Sequence, residues 1–195
     1  MKTVFVITHS DVVIDPNVPV PRWPLSKIGR KRIERLLSAA WLLKVTAVYS
    51  SNEQKAIDGA RMLANYLELE AVEVDGLEEV DRSSTGYLPQ EAHDHNAQML
   101  FLHPTKSVDG WERAIDAQKR IVNAVEKLLI EEKTHGDLII VTHGAVGSFL
   151  NSYLKNNAIT LADAPDFPGG GGIFAFNAQS KNVLYDWMNI DNVAL

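Results

Sequence analysis

The chain has 195 residues, of which 46% are hydrophobic and 23% charged, and a formal net charge of −6. That length can bury a sizeable core in one domain with room for a lid, and the acidic balance argues against a nucleic-acid or membrane-surface partner. There is no cysteine, which excludes disulfides and thiolate metal sites.

The chain opens on Val4-Phe5-Val6-Ile7-Thr8-His9-Ser10. This apolar stretch is too short for a signal peptide and reads as a buried strand ending in a histidine. No segment approaches the roughly 20 apolar residues of a membrane span, so the expectation is a cytoplasmic protein. The same pattern returns as Leu138-Ile139-Ile140-Val141-Thr142-His143-Gly144. Apolar strands of this kind belong to parallel sheets covered on both faces, and ligands gather beyond the carboxyl ends of such strands. Two imidazoles delivered to that edge are the first candidates for chemistry. The plainer alternative is that each histidine caps its strand through a hydrogen bond.

A loop follows from Asp11 to Trp23, with Pro16, Pro19, Pro21 and then Pro24, which excludes helix and gives a stiff path. It carries Arg22 and Trp23, which either cover surface or rim the site beside His9. Ser26 reads as an N-cap. Ile28, Ile33, Leu36, Leu37, Ala40 and Trp41 predict an amphipathic helix over about 26–42. Its basic run Arg30-Lys31-Arg32 reads as a solvated face, with Arg30 alternatively turned to the sheet edge. Val45 to Tyr49 is a second β-branched strand, ending at Ser50-Ser51-Asn52. A helix over about 53–67 carries Lys55 in its first turn. A cation there opposes the helix dipole, so Lys55 suits a ligand better than the helix, a solvated lysine being the alternative.

Residues 70–74 predict a third strand. From about 80 to 110 the sequence is polar and irregular, with Gly86, Pro89, His93, His95 and His103, and its length suggests a lid or active-site excursion. Ile115, Ile121, Val125, Leu128 and Leu129 form the stripe of a helix over about 111–133. A fourth strand over 137–142 leads into a helix over about 145–155. The loop 158–172 ends in Gly169 to Gly172; it lacks a Walker pattern and reads as a flexible turn. Residues 173–176 and 183–187 form a hairpin. The order predicts one domain over 1–195, an α/β fold of three α/β/α layers with a mostly parallel central sheet, an antiparallel edge hairpin and a lid at about 80–110.

The predicted sheet edge offers His9, His143, Lys55 and Glu79, with Arg22 on the neighbouring loop. A neutral imidazole is a nucleophile suited to phosphorus, a carboxylic acid can protonate the leaving oxygen, and a second imidazole with cations can hold phosphoryl oxygens. Two histidines and a carboxylate are also the ligand set of a zinc or non-haem iron site, to which His93, His95 and His103 would add. The cations expected between His9 and His143 oppose that reading.

The motifs resemble those of the histidine phosphatase superfamily, also called phosphoglycerate mutase-like. Thr8-His9-Ser10 stands where that family has Arg-His-Gly, and Pro24-Leu25-Ser26-Lys27-Ile28-Gly29-Arg30 matches Pro-Leu-Thr/Ser-x-x-Gly-Arg. Ser50-Ser51-Asn52-Glu53-Gln54-Lys55-Ala56 matches Ser-Ser-x-x-x-Arg-Ala. Leu77-Glu78-Glu79 matches Leu-x-Glu, and Val141-Thr142-His143-Gly144 matches the late strand ending in His-Gly. The resemblance implies a phosphomonoester hydrolase with a phosphohistidine intermediate on His9. Glu79 would be the proton donor and His143 a ligand of the phosphoryl group, with Thr8, Ser10, Lys55 and Gly144 around the phosphate. It implies a small phosphorylated substrate, no metal and no cofactor. Glu78 is the alternative acid, though the motif register favours Glu79 and adjacent residues of an extended segment point opposite ways.

Two family arginines are replaced here, by Thr8 and Lys55. Threonine carries no charge, and lysine lacks the two-pronged contact of arginine. Either the enzyme is active and diverged, with Arg22 supplying the missing cation, or the chain binds a phosphorylated ligand or a protein partner with little or no turnover.

Overall fold

The computed structural model describes residues 2–164 and 167–193. In chain order its main elements are β1 (Thr3–Thr8), α1 (Lys27–Leu36), β2 (Val45–Ser50), α2 (Gln54–Tyr66), β3 (Ala71–Glu73), α3 (Gln90–Leu102), α4 (Ala114–Glu131), β4 (Asp137–Thr142), α5 (Gly144–Leu154), β5 (Gly172–Asn177) and β6 (Val183–Asn189). The strands make one six-stranded sheet in the order β3-β2-β4-β1-β5-β6. Strands β3, β2, β4 and β1 run parallel, while β5 and β6 add an antiparallel edge. This is the predicted α/β architecture.

The strand alternation builds two cores. Val4, Val6, Leu138, Ile140, Phe174 and Phe176 face one way, against Ile121 and Val125 of α4 and Phe149 of α5. Phe5, Ile7, Ile139, Val141 and Ile173 face the other, against Ile33 of α1 and Ala60 and Leu63 of α2. Strands covered on both faces have to be apolar at every position, and β1 and β4 are buried throughout. Among the described residues no helix is long and apolar enough to cross a membrane.

Several expectations are corrected. The helix expected over 26–42 stops at Leu36, and a 3₁₀ turn takes Ala40–Lys44. Ser38 donates its hydroxyl hydrogen to the Arg35 carbonyl at 3.0 Å, the local bond by which serine competes with helix. Trp41 instead stacks on Phe5 with ring centroids 4.0 Å apart. Ile28 is 64% exposed, because Gly29 occupies the inward position, where a Cβ would stand 2.1 Å from the Asp11 carbonyl oxygen. Ile115 is likewise outside the α4 stripe, at 42% exposure. The 80–110 excursion is not irregular throughout, since α3 lies within it and buries Asn96, Leu100 and Phe101. Of the 158–172 loop, Pro165 and Asp166 lie outside the described residues.

The basic run is divided. Arg30 pairs with Asp58 at 2.7 Å. Arg32 is buried rather than solvated: it donates to Asp191 at 2.8 Å and to the Gly169 and Gly170 carbonyls, both at 3.0 Å. Gly169, Gly170 and Gly171 have φ of +71, +69 and +74°, a region that favours glycine. The Gly171 amide donates to the His9 carbonyl at 3.0 Å, and a Cβ on Gly170 would come within 2.5 Å of that oxygen. The glycine run is therefore a wall fastened to His9, in place of the flexible turn expected.

Removing the buried guanidinium should unfasten that wall. Arg32→Ala is expected to lower unfolding stability by about 3 kcal/mol, the low end for breaking a buried charge network. Arg35→Ala, on the exposed partner of the same Asp191, should cost less than about 1 kcal/mol. Urea denaturation of both variants measures the difference.

Candidate active site

The site begins with a strand pairing. Thr8 of β1 lies opposite Thr142 of β4, and the His9 amide donates to the Thr142 carbonyl at 2.9 Å. His9 and His143 therefore leave the sheet side by side, with ring centroids 5.2 Å apart and ring planes at 65°. A cavity of about 600 Å³ opens at this edge; Thr8, His9, Ser10, Lys55, Glu79 and Gly144 all line it. His143 is fully buried behind it and is not a lining residue. Arg22 is exposed on a short 3₁₀ turn and is not brought to the cavity.

His9 Nδ1 is 2.9 Å from the Ser10 carbonyl. A carbonyl only accepts, so Nδ1 carries the hydrogen and a neutral ring keeps its lone pair on Nε2. Burial, His143 and Lys55 push the pKa down to about 3, against the Ser10 carbonyl and Glu79. His143 Nε2 bonds Ser51 Oγ at 2.8 Å and lies 3.6 Å from Glu53 Oε1. Its pKa falls to about 4, chiefly by burial, with Glu53 and Glu79 pulling it back up. Both rings are thus neutral at pH 7. Buried His143 Nδ1 and Ser10 Oγ have no hydrogen-bond partner among the described residues, and Ser10 Oγ stands at the cavity wall.

The Thr8 hydroxyl accepts from the Gly172 amide at 2.8 Å, so it ties the glycine wall to β1. The Glu79 carboxylate sits at the amino end of α5. It accepts from the Ala145 and Val146 amides, both at 3.2 Å, and from the Val80 amide at 3.0 Å. Burial pushes its pKa up, but His143, Arg82 and the Val80 amide outweigh that and leave it below the usual carboxylate value. Glu78 turns the other way, to the Gly76 amide at 2.8 Å, Asn52 at 2.9 Å and Arg120 at 3.3 Å.

Two site residues escaped the sequence reading. Glu53 forms a short, buried ion pair with Lys55, whose ammonium also donates to the Val20 carbonyl at 3.0 Å. Glu53 accepts from the Glu79 amide at 2.9 Å as well. An acid at a helix start ordinarily reads as dipole compensation, which hides this role. Arg82, three residues after Glu79, lines the cavity. Its guanidinium lies 5.5 Å from the Trp111 ring centroid and 2.5 Å from His93 Nε2. Nothing in its local sequence marks it. Among the described residues, no group of three or more His, Asp or Glu side chains is placed to hold a metal ion.

A strand-end histidine pair thus stands at the carboxyl edge of a parallel sheet, with the Glu79 carboxylate lining the cavity at the same edge. The model of the histidine phosphatase superfamily (branch 1) matches residues 20–171, and the chain belongs to that superfamily. A search of curated protein sequences finds no significant match. Among solved structures, a mycobacterial glucosyl-3-phosphoglycerate phosphatase complexed with VO3 superposes with a TM-score of 0.77 at 18% identity, over 97% of this chain and 99% of that one. A mycobacterial glucosyl-3-phosphoglycerate phosphatase in complex with inorganic phosphate gives 0.74 at 16% identity, over 96% and 95%. YhfR of Bacillus stearothermophilus gives 0.75 at 18%, over 95% of each chain.

The depressed pKa values fix a sign. His9 and His143 fold as neutral rings with values near 3 and 4; unfolded, they titrate near 6.5. Between those values the unfolded chain binds more protons, so stability rises with pH. It is complete above about pH 6.5 and is lost as pH falls through the folded values. Glu53, held down to about 2 because His143 and Lys55 outweigh its burial, adds a loss in the same direction below about 4.5. Urea midpoints should therefore fall steadily from pH 7 to pH 4, and His143→Gln should flatten the fall above pH 5. Glu53→Gln strands Lys55 without its carboxylate and should cost about 3–5 kcal/mol, read by the same denaturation at pH 7.

Proposed function

We propose that the chain is a phosphomonoester hydrolase working through a phosphohistidine on His9, with Arg82 in the cationic role that the sequence offered to Arg22. The observation that carries this is the His9–Ser10 carbonyl bond at 2.9 Å on a ring whose pKa is near 3: the lone pair on Nε2 is free at neutral pH. In the first step Nε2 attacks phosphorus, and the bond from phosphorus to the ester oxygen breaks as Glu79 protonates that oxygen. In the second, Glu79 takes a proton from water, whose oxygen displaces the imidazole and releases phosphate. Glu79 is ionised in the empty site. A phosphoryl dianion arriving beside it adds like charge and raises its pKa, which turns it into a donor when one is needed. Ser10 Oγ, Lys55 and Arg82 supply donors for the phosphoryl oxygens. The residues around 80–110 serve as the lid of a domain spanning 1–195. The phosphate and VO3 complexes of the mycobacterial relative support a phosphate-binding pocket here.

The reading of a weak or non-catalytic phosphate binder draws on one observation. Glu53 neutralises Lys55, and Glu79 occupies the α5 amides in the resting state. Three measurements separate these readings. Rapid alkaline quench with a radiolabelled phosphomonoester should trap a phosphoprotein that is stable in base and lost in acid; its absence from an active enzyme, or its persistence in His9→Ala, sinks the nucleophile. Arg82→Ala should lower kcat/KM about ten- to a hundredfold, the value of a charged hydrogen bond, whereas Arg22→Ala should change it by no more than about twofold. Glu79→Gln should slow phosphorylation of His9 by esters of alkanols by about 10²–10⁴-fold and spare the first-turnover burst of p-nitrophenol from p-nitrophenyl phosphate, whose leaving group needs no proton, while steady-state turnover of both slows because the second step loses its base.

A further inference from the structure

The cavity has two ends of opposite character. Around His9 it is polar. Away from His9 its walls are mainly apolar: Trp23 comes from the proline-rich loop, Tyr87 and Leu88 from the approach to α3, and Leu100 and Phe101 from α3 itself, with Trp111 behind; Arg82, Gln90 and His93 are the polar lining there. Trp23, Leu100, Phe101 and Trp111 are each less than a tenth exposed. Trp23 and Tyr87 close the rim with ring centroids 5.8 Å apart.

The polar atoms of these aromatic walls are turned away. Trp23 Nε1 donates to the Asp15 and Val18 carbonyls, both at 2.9 Å, and Trp111 Nε1 donates to Thr85 Oγ1 at 2.8 Å. Trp23 and Trp111 therefore offer the space ring carbon. A volume of about 600 Å³ falls within the range of small-molecule sites, roughly 300–1,000 Å³, and exceeds what a phosphoryl group alone needs.

The surrounding charge disfavours an anionic leaving group. Asp11 and Glu79 line this cavity. An adjoining cavity of about 850 Å³, which shares Val20, Glu79, Arg82 and Tyr87, is lined by Glu53, Glu78, Asp81 and Glu112. The second arginine there, Arg120, is engaged by Glu112 at 2.7 Å and by the Gly76 and Glu78 carbonyls at 3.1 and 2.9 Å. Lys55 is taken by Glu53. Arg82 is then the one lining cation with no carboxylate ion pair among the described residues: its guanidinium lies over Trp111 and against His93, and its charge acts on Glu79. A carboxylate on the leaving group would lose its water and meet like charge.

Resting on the phosphatase reading above, we propose that this site selects phosphomonoesters of uncharged, apolar alcohols, alkyl or aryl. The hydrocarbon lies between the Trp23–Tyr87 rim and the Leu88, Leu100 and Phe101 wall of the lid.

Binding of unhydrolysable phosphonates tests this without calling on turnover. In calorimetry with the full chain, affinity should rise about three- to fourfold per methylene from methyl- to n-hexylphosphonate, the step for burying a CH₂. At matched size, 3-phosphonopropionate should bind at least about tenfold more weakly than n-butylphosphonate. Leu88→Asn and Tyr87→Ala, both checked for an unchanged melting temperature, should each reduce the slope. A flat series, or tighter binding of the carboxylate, overturns the inference even in an active enzyme. A steep series in a protein that hydrolyses no phosphomonoester upholds it and sinks the phosphatase reading instead. A slope untouched by both variants overturns the placement of the hydrocarbon.

Discussion

The parallel pairing of β1 with β4 carries the rest of the site. With Thr8 opposite Thr142, both following residues leave the sheet at the same height, and both are histidines. Burying two imidazoles together in a medium of low dielectric makes two positive charges costly, so both rings stay neutral at physiological pH. The Ser10 carbonyl then selects the tautomer of His9. The proposed nucleophile is thus prepared by packing and one backbone bond, with no general base beside it.

Around these rings the charges are arranged in near balance. Glu53 answers Lys55, and the α5 amides with Arg82 answer Glu79. Thr8 and Lys55, which the motif resemblance aligns with arginines of the family, are both engaged within the protein. Thr8 fastens the glycine wall through Gly172, and Lys55 is shared between Glu53 and the Val20 carbonyl. The empty site is therefore much less positive than two free guanidinium groups would make it, and the balance moves toward Arg82 and neutral donors such as Ser10.

The excursion between β3 and α4 completes the cavity. Its helix α3 gives Leu100 and Phe101 to the core packed on α4 and α5, while His93 reaches Arg82. The segment that brings Glu79, the proposed acid, also brings the apolar wall, which couples the placing of that carboxylate to the shape of the space for the proposed leaving group.

The sequence by itself determined the succession of strands and helices, the apolar faces and the histidine pair. Those features are local and periodic: a strand covered on both faces has to be apolar throughout, and the residue after it stands at the edge. The motif resemblance favours Glu79 over Glu78, and the two side chains do point apart, as neighbours in an extended segment should. Only the tertiary structure decided which charges meet. Arg22 and Arg82 look alike as sequence, as do Arg30 and Arg32, and long side chains take their partners from wherever the fold brings a carboxylate or carbonyl. Arg32 binds the glycine wall more than 130 residues away, and Glu53 reaches His143 across the sheet. Local spacing records nothing of such contacts, since their energy depends on burial and on partners that folding alone assembles.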